Sequence, residues 1–206
     1  MRRADHGVRI AFGADVGDGA GILAAAFAQD PWFGWLYPQV EERAAMSEAW
    51  FELVLGRALS MGHSYRTAAG FVNWVPPDVH FPGPADIELA VDLLQRQIGE
   101  RAATALGIIG EVGAVFPETP RFHCIYVGVQ PRHQRGGDGE ALMRRVLDVC
   151  DAEGIAASLT STNDVNLGFY RRLGFEEIGA VPIADAGSVM RPMWREPQPL
   201  RPDGRS

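Results

Sequence analysis

Lysine is absent: all 19 basic residues among the 206 of this chain are arginine. The absence excludes Schiff-base catalysis and every lysine-tethered cofactor, pyridoxal phosphate, biotin and lipoate included. It also excludes the nucleotide P-loop, whose lysine must follow its glycines. An arginine-only basic set is what a coding genome rich in G and C produces, so a bacterial source is expected. Cysteine is scarce as well. Cys124 and Cys150 make neither a disulfide framework nor a Cys-x-x-Cys metal spacing, which fits a reducing cytoplasm. The histidines, His6, His63, His80, His123 and His133, show no His-x-x-x-His pattern, and no catalytic metal is expected. Long apolar runs are missing too: the longest, around residues 22–27, falls far short of the roughly 20 residues a membrane span needs. Residues 1–6 lack the apolar stretch of a secretion signal. No membrane partner is expected, and the expected location is cytoplasmic.

What is present suits one well-packed α/β domain: the hydrophobic share is 47%, and no composition shift forces a second domain. An ordered core over about residues 8–195 is expected, with an insertion at 78–120 and a flexible tail at 196–206. The net charge of −7 is uneven, because residues 1–120 hold 15 acids against 8 arginines and the remainder holds 11 of each. That balance disfavours a nucleic-acid partner, which needs a basic face. It fits a neutral half that holds an anionic cofactor and an acidic half that attracts a cationic amine, or else acids that merely solvate surface helices.

Taken in order, residues 8–12 read as a strand entered after a frayed start. Asp15 or Asp18 can cap a helix that runs to about residue 28 and stops at Asp30-Pro31. Trp32, Phe33, Trp35 and Tyr37 then crowd between prolines, as a buried loop plug or a substrate wall. Residues 41–61 form a long helical pattern with Met46, Trp50, Leu53, Val54 and Ala58 on one face. Residues 64–67 and 71–75 read as a hairpin stopped by Pro76-Pro77. Within 78–120, Pro84 followed by Ile87, Val91, Leu94 and Ile98 predicts one helix. The run 102–115 carries Gly107, Gly110 and Gly113, and its form stays open. Residues 122–129 and 156–161 read as strands joined by an amphipathic helix in a βαβ crossover, and 176–181 with 189–194 as an antiparallel pair.

The stretch the chain is organised around is 129–143. Gly136, Gly137 and Gly139 lie between an apolar strand and a helix start, where first-turn N–H groups and the macrodipole suit a phosphate. Glycine removes the Cβ atoms that would hold an anion off those amides. A dinucleotide fingerprint is excluded, since Gly137-Asp138-Gly139 is followed by Glu140-Ala141-Leu142 and the next strand ends without an acid.

Gln134-Arg135-Gly136-Gly137-Asp138-Gly139, preceded by Val129-Gln130-Pro131, closely resembles the acyl-CoA pyrophosphate loop of the GNAT superfamily of N-acyltransferases. Downstream, Asn166-Leu167-Gly168-Phe169-Tyr170 with Gly174-Phe175 looks like that family's Asn-x-x-Phe-Tyr-x-x-x-Gly-Phe segment. The resemblance covers about residues 121–195. Ala26-Phe27, Asp30-Pro31 and Trp74-Val75-Pro76-Pro77 further look like the subgroup that contains puromycin acetyltransferase. The implied fold is a GNAT α/β (α+β) fold, a central mixed twisted sheet whose parallel strands 4 and 5 splay apart, flanked by helices.

The resemblance also implies a site. Acetyl-CoA would be the co-substrate, its pyrophosphate on residues 134–140 (Gln134, Arg135, Gly136, Gly137, Asp138, Gly139 and Glu140) and its pantetheine arm along Val127, Gly128 and Val129 with Asn166. A backbone N–H of that strand would polarise the thioester carbonyl. Arg135, where many members carry glycine, reads as a phosphate ligand or a solvent-facing charge. Tyr170 matches the general acid that protonates the departing thiolate, and Phe169 is then the expected core residue. Asn163 is the expected helix cap beside Asn166. The proton acceptor is not identified: His123 is one candidate, a water chain another. Trp32, Trp35 and Tyr37 are the expected substrate wall. The expected activity is direct acetyl transfer to a primary amine of a small molecule by a monomer or homodimer, with a protein N-acetyltransferase or a non-catalytic acyl-CoA-binding module as alternatives.

Overall fold

The computed structural model describes residues 6–199, so the expected frayed start before residue 6 and the expected tail beyond 199 lie outside the described residues. Strands are β1 (Arg9–Ile10), β2 (Ser64–Arg66), β3 (Gly70–Val75), β4 (Arg121–Val129), β5 (Ala156–Ser161), β6 (Glu176–Glu177), β7 (Val181–Pro182) and β8 (Val189–Arg195). Helices are α1 (Val16–Ala26), α2 (Pro31–Leu36), α3 (Val40–Ala58), α4 (Pro84–Ile98), α5 (Arg101–Val115), α6 (Asp138–Glu153) and α7 (Leu167–Arg172). The strands make one mixed sheet in the order β1-β2-β3-β4-β5-β8-β6, with β7 also on β8. Only β4 and β5 are parallel among these pairs, joined by α6 as a crossover.

Both faces of the sheet are covered, which is why every residue of β3 is buried. Phe71 of β3 points to a core built by α1 to α5, while Val72 and Trp74 point to a second core built by α6 and α7, the alternation that a strand's two-residue period requires. In α6, Leu142, Met143, Val146, Leu147 and Cys150 form the buried stripe. Gly154 ends this helix in the left-handed region at φ +70°. Thr67 shapes the β2–β3 turn, its hydroxyl accepting the N–H groups of Ala69 and Gly70.

Several expectations change. The aromatic run is not a loop: Asp30 caps it, its Oδ1 accepting the Trp32 N–H at 2.9 Å, and Pro31 at the first helical position presets the backbone of α2. Asp15 does not cap α1 with its side chain; it binds Arg9 and Arg66 instead. The buried stripe of α3 is Ser47, Trp50, Phe51, Leu55 and Ala58, rotated from the expected face because α1 packs over Phe51 and Leu55. The open question at 102–115 resolves as a helix. Ala102, Ala105, Ile108 and Val112 of α5 are buried, while Gly107, Gly110 and Gly113 lie where an added Cβ meets nothing within 4 Å. Packing of one face therefore outweighs three poor helix formers on the other. The strand expected at 176–181 is broken into β6 and β7, each paired with β8. Gln198, in the expected tail, donates its N–H to Asp151 at 2.7 Å. Among the described residues no helix is long and apolar enough to cross a membrane.

Candidate active site

The site begins where the sheet opens. β4 and β5 pair only from Arg121↔Ala156 to Cys124↔Leu159, whereas β4 stays paired with β3 to Val129. The β3–β4 register steps from Trp74↔Cys124 to Asn73↔Tyr126, so Ile125 is a bulge residue that bends β4 away from β5. The β5-facing edge of Val127, Gly128 and Val129 consequently has no strand partner among the described residues. Gly128 also has a packing role: a Cβ there would lie 2.8 Å from the Cβ of Ala26, so only glycine lets α1 lie this close to β4.

Between β4 and α6 the chain turns through Arg135, at φ +64°, and Gly137, at φ +102°. Residues 134–137 are exposed, and the first intrahelical bond of α6 runs from Ala141 N to Gly137 O, which leaves the preceding amides of the first turn free for an anion. Gln134 does not extend outward; its side-chain amide donates to Val129 O at 3.1 Å and closes the turn. Asp138 turns its carboxylate away, to His6 Nδ1 at 2.8 Å and the Thr67 hydroxyl at 3.3 Å. The His6 ring thereby stands over Gly137, about where a Cβ would be, at 2.9 Å. Gly139 faces the ring of Phe169, and Glu140 is exposed. This backbone cradle and the free edge of β4 fit the diphosphate and amide groups of an acyl-CoA. Nothing in the local sequence pointed to His6.

The opening leads into a cavity of about 920 Å³ walled by the β4–β5 gap on one side and α4 and α5 on the other. Trp32, Trp50, His123, Tyr126, Thr162 and Tyr170 are on its lining, and Asn166 is at its rim. Trp35 and Tyr37, expected on the substrate wall, are not. Trp35 donates its Nε1 hydrogen to Asp185 at 2.8 Å under the Arg101 guanidinium. The Tyr37 hydroxyl donates to Gln97 Oε1 at 2.7 Å. Trp35 stacks on the Trp32 ring, centroids 5.3 Å apart, and Tyr37 follows the end of α2, so of the three aromatics Trp32 lines the cavity. Asn163 takes the capping role, accepting Val165 N–H. Phe169 is half-buried and Tyr170 buried, the reverse of the expected split, yet Tyr170 still reaches the cavity.

The titratable groups divide sharply. Burial holds the Tyr170 hydroxyl well above its ordinary value, and the Asp30 charge adds to this, so it is a proton donor at neutral pH. Burial pushes Tyr126 up to about 12; its oxygen accepts the Trp50 indole N–H at 2.8 Å. Burial, then the Arg121 charge, lowers His123 to about 4. The Ser158 hydroxyl sits 2.8 Å from His123 Nδ1 and accepts Arg121 Nε–H at 2.9 Å. The arrangement that uses every hydrogen has Ser158 donating to Nδ1, which leaves the imidazole proton on Nε2. In that tautomer His123 offers the cavity a donor and no lone pair. Asp30 is 6% exposed, and burial raises its pKa against the opposing bonds from Thr162, Trp32 N and Phe33 N.

Residues 65–175 match the family model described as the acetyltransferase (GNAT) family. Among solved structures, a histone acetyltransferase HPA2 and related acetyltransferase from Corynebacterium glutamicum is 25% identical, with a TM-score of 0.66 over 95% of this chain and 97% of that one. An agmatine N-acetyltransferase shares the fold at 15% identity, with a TM-score of 0.57 over 92% of this chain and 98% of that one. PaiA N-acetyltransferase from Thermoplasma acidophilum, in complex with coenzyme A, shares it at 12% identity, with a TM-score of 0.51 over 92% and 97%.

Proposed function

The chain belongs to the acetyltransferase (GNAT) family, and from that premise we propose that it moves an acetyl group from acetyl-CoA to a primary amine of a small molecule. The observation that carries the choice of acceptor is the cavity: α4 and α5 roof it, and its aromatic lining encloses a volume of about 920 Å³, within the range of small-ligand sites. An extended peptide needs an open groove instead. We further read the whole chain as a single domain acting as monomer or homodimer.

Acetyl-CoA supplies the activated acyl group when bound. The amides of Gly136, Gly137 and Gly139 and the Arg135 guanidinium hold its diphosphate, and the open edge at Val127, Gly128 and Val129 with Asn166 holds its arm. A backbone N–H of that edge stabilises negative charge on the carbonyl oxygen. Tyr170 gives its proton to the departing sulfur. Both substrates sit in one cleft, so no acylated residue is needed. Trp32, Trp50 and Tyr126 favour an amine with an aromatic body, as the resemblance to the puromycin acetyltransferase subgroup also suggests.

A protein amine is the second reading, favoured by the name of the C. glutamicum neighbour. Thiol release from acetyl-CoA against tyramine, agmatine, an aminonucleoside and a histone-tail peptide separates the two. Turnover with an aromatic small amine above that with the peptide is the expected result; the reverse order transfers the assignment to protein substrates.

A further inference from the structure

The site as described has a proton donor for the leaving group and lacks a proton acceptor for the amine. His123 cannot fill that place with its proton on Nε2. Of the carboxylates at the cavity, Asp86 is held by Arg57 at 2.6 Å and Glu118 is exposed, whereas Asp30 is buried beside the cleft without an ion pair. Asp30, at the start of α2, is joined across the cleft to the loop after β5: the Thr162 hydroxyl donates to Asp30 Oδ2 at 2.6 Å. Asp30 itself lies behind the lining, whereas Thr162 is half-buried on it. Because the Thr162 hydrogen is committed to the carboxylate, the lone pairs of Oγ1 are what Thr162 offers the cavity.

Resting on the acetyltransferase reading above, we propose that Thr162 and Asp30 form the proton-accepting relay of the reaction, Thr162 touching the amine and Asp30 receiving the proton through it. As the amine nitrogen bonds to the acyl carbon, its N–H proton passes to Thr162 Oγ1 while the Thr162 hydroxyl proton passes to Asp30 Oδ2. Thr162 ends unchanged, Asp30 ends as the neutral acid, and Tyr170 delivers the compensating proton to sulfur. Solvent then resets both groups, and no oxidant or further reactant enters.

Three features suit Asp30 to this part. No cation is among the groups acting on it, so its charge is not committed to an ion pair, as that of Asp15 is to Arg9 and Arg66. Its burial moves its proton affinity toward neutrality, where a base works best. The titratable groups facing it from the packed elements are Tyr126 on β4 and Tyr170 on α7, and its charge raises the pKa of both. A proton on Asp30 therefore makes Tyr170 the stronger acid at the moment the thiolate departs. Acceptance and donation are coupled through one charge.

The test uses the full chain with acetyl-CoA and tyramine. Thr162→Val removes the hydroxyl and keeps the shape; Asp30→Asn keeps the oxygen that caps α2; Thr162→Ser restores the relay. Each of the first two is expected to lower kcat by roughly 100-fold, the double variant by about the same factor, with acetyl-CoA affinity and Tm nearly unchanged and Thr162→Ser close to wild type. The acidic limb of the kcat/KM–pH profile should vanish in Asp30→Asn. In the free protein, carboxyl NMR should find the Asp30 pKa above the ordinary range, and higher still in Thr162→Val, since the lost bond favours the charged form. Wild-type turnover by folded Thr162→Val, or an acidic limb that survives Asp30→Asn, overturns the relay and leaves the acetyltransferase assignment standing. A wild-type protein that transfers to no amine overturns both.

Discussion

Two side chains of the site carry separable predictions at the scale of single residues. Tyr170 packs against Phe169 and Phe175, so Tyr170→Phe keeps the ring in place and removes only the hydroxyl. Stability and acetyl-CoA binding should barely move, while kcat falls about 10- to 1000-fold with KM nearly constant, the signature of an interaction made in the transition state. Steady-state kinetics in a chemistry-limited assay decides it. For the anion loop, Gly137 is a poor probe: any side chain there strains a φ of +102° and strikes His6, so a loss of binding would report the turn. Arg135 is the better one. Glycine adopts its φ of +64° without strain, so Arg135→Gly removes the guanidinium and spares the turn. Coenzyme A affinity should drop about 5-fold at low salt, the roughly 1 kcal/mol an exposed charge contributes, and less at high salt. Calorimetry at two ionic strengths measures both.

At the scale of elements, α5 shows a helix held by its neighbours. Of its three glycines, Gly110 and Gly113 lie on the cavity and Gly107 lies away from it. Gly107→Ala should stabilise the protein by about 1 kcal/mol, a rise of roughly 2–4 °C in Tm, with kinetics unchanged. Gly110→Leu has the same helical benefit but sends a side chain into the cavity, and the KM for tyramine should rise on the order of 10-fold. Equal KM values for the two variants would show that α5 does not bound the acceptor site. α2 tells the complementary story: its six residues are too few to be stable alone, and the Asp30 cap and burial of Trp32, Phe33 and Leu36 hold it.

At the scale of the whole molecule, acid should act in two stages. His123 is held near 4 in the fold against an ordinary 6.5. Between those values the unfolded chain binds the proton and the folded one does not, so stability falls as pH drops through that window. The Arg9 bond lowers Asp15, and the Arg191 bond lowers Asp164, below their ordinary 3.8. Their contribution is present above 3.8 and is lost as pH falls further. Asp30 runs the other way, since protonation relieves the cost of burying its charge. Scanning calorimetry from pH 8 to pH 3 should therefore show Tm falling first below about 6.5. In His123→Gln that first decline should disappear while the second remains.

Much of this was legible in residue order. The absence of lysine, the glycines between a strand and a helix, and the Asn166–Tyr170 pattern are local signals, set by backbone freedom and period over a few neighbours. The motifs among them pointed to the family and the crossover. The bulge at Ile125, the end of the β4–β5 ladder, the side of α2 that meets the cavity and the His123–Ser158–Arg121 arrangement were decided by packing. So were two contacts that each join residues 132 positions apart, His6 on Asp138 and Thr162 on Asp30. No periodicity spans that distance. Only the closing of both cores around the sheet brings such groups within hydrogen-bond reach, which is why Asp30 reads as a helix stop in the sequence and stands beside the cavity in the fold.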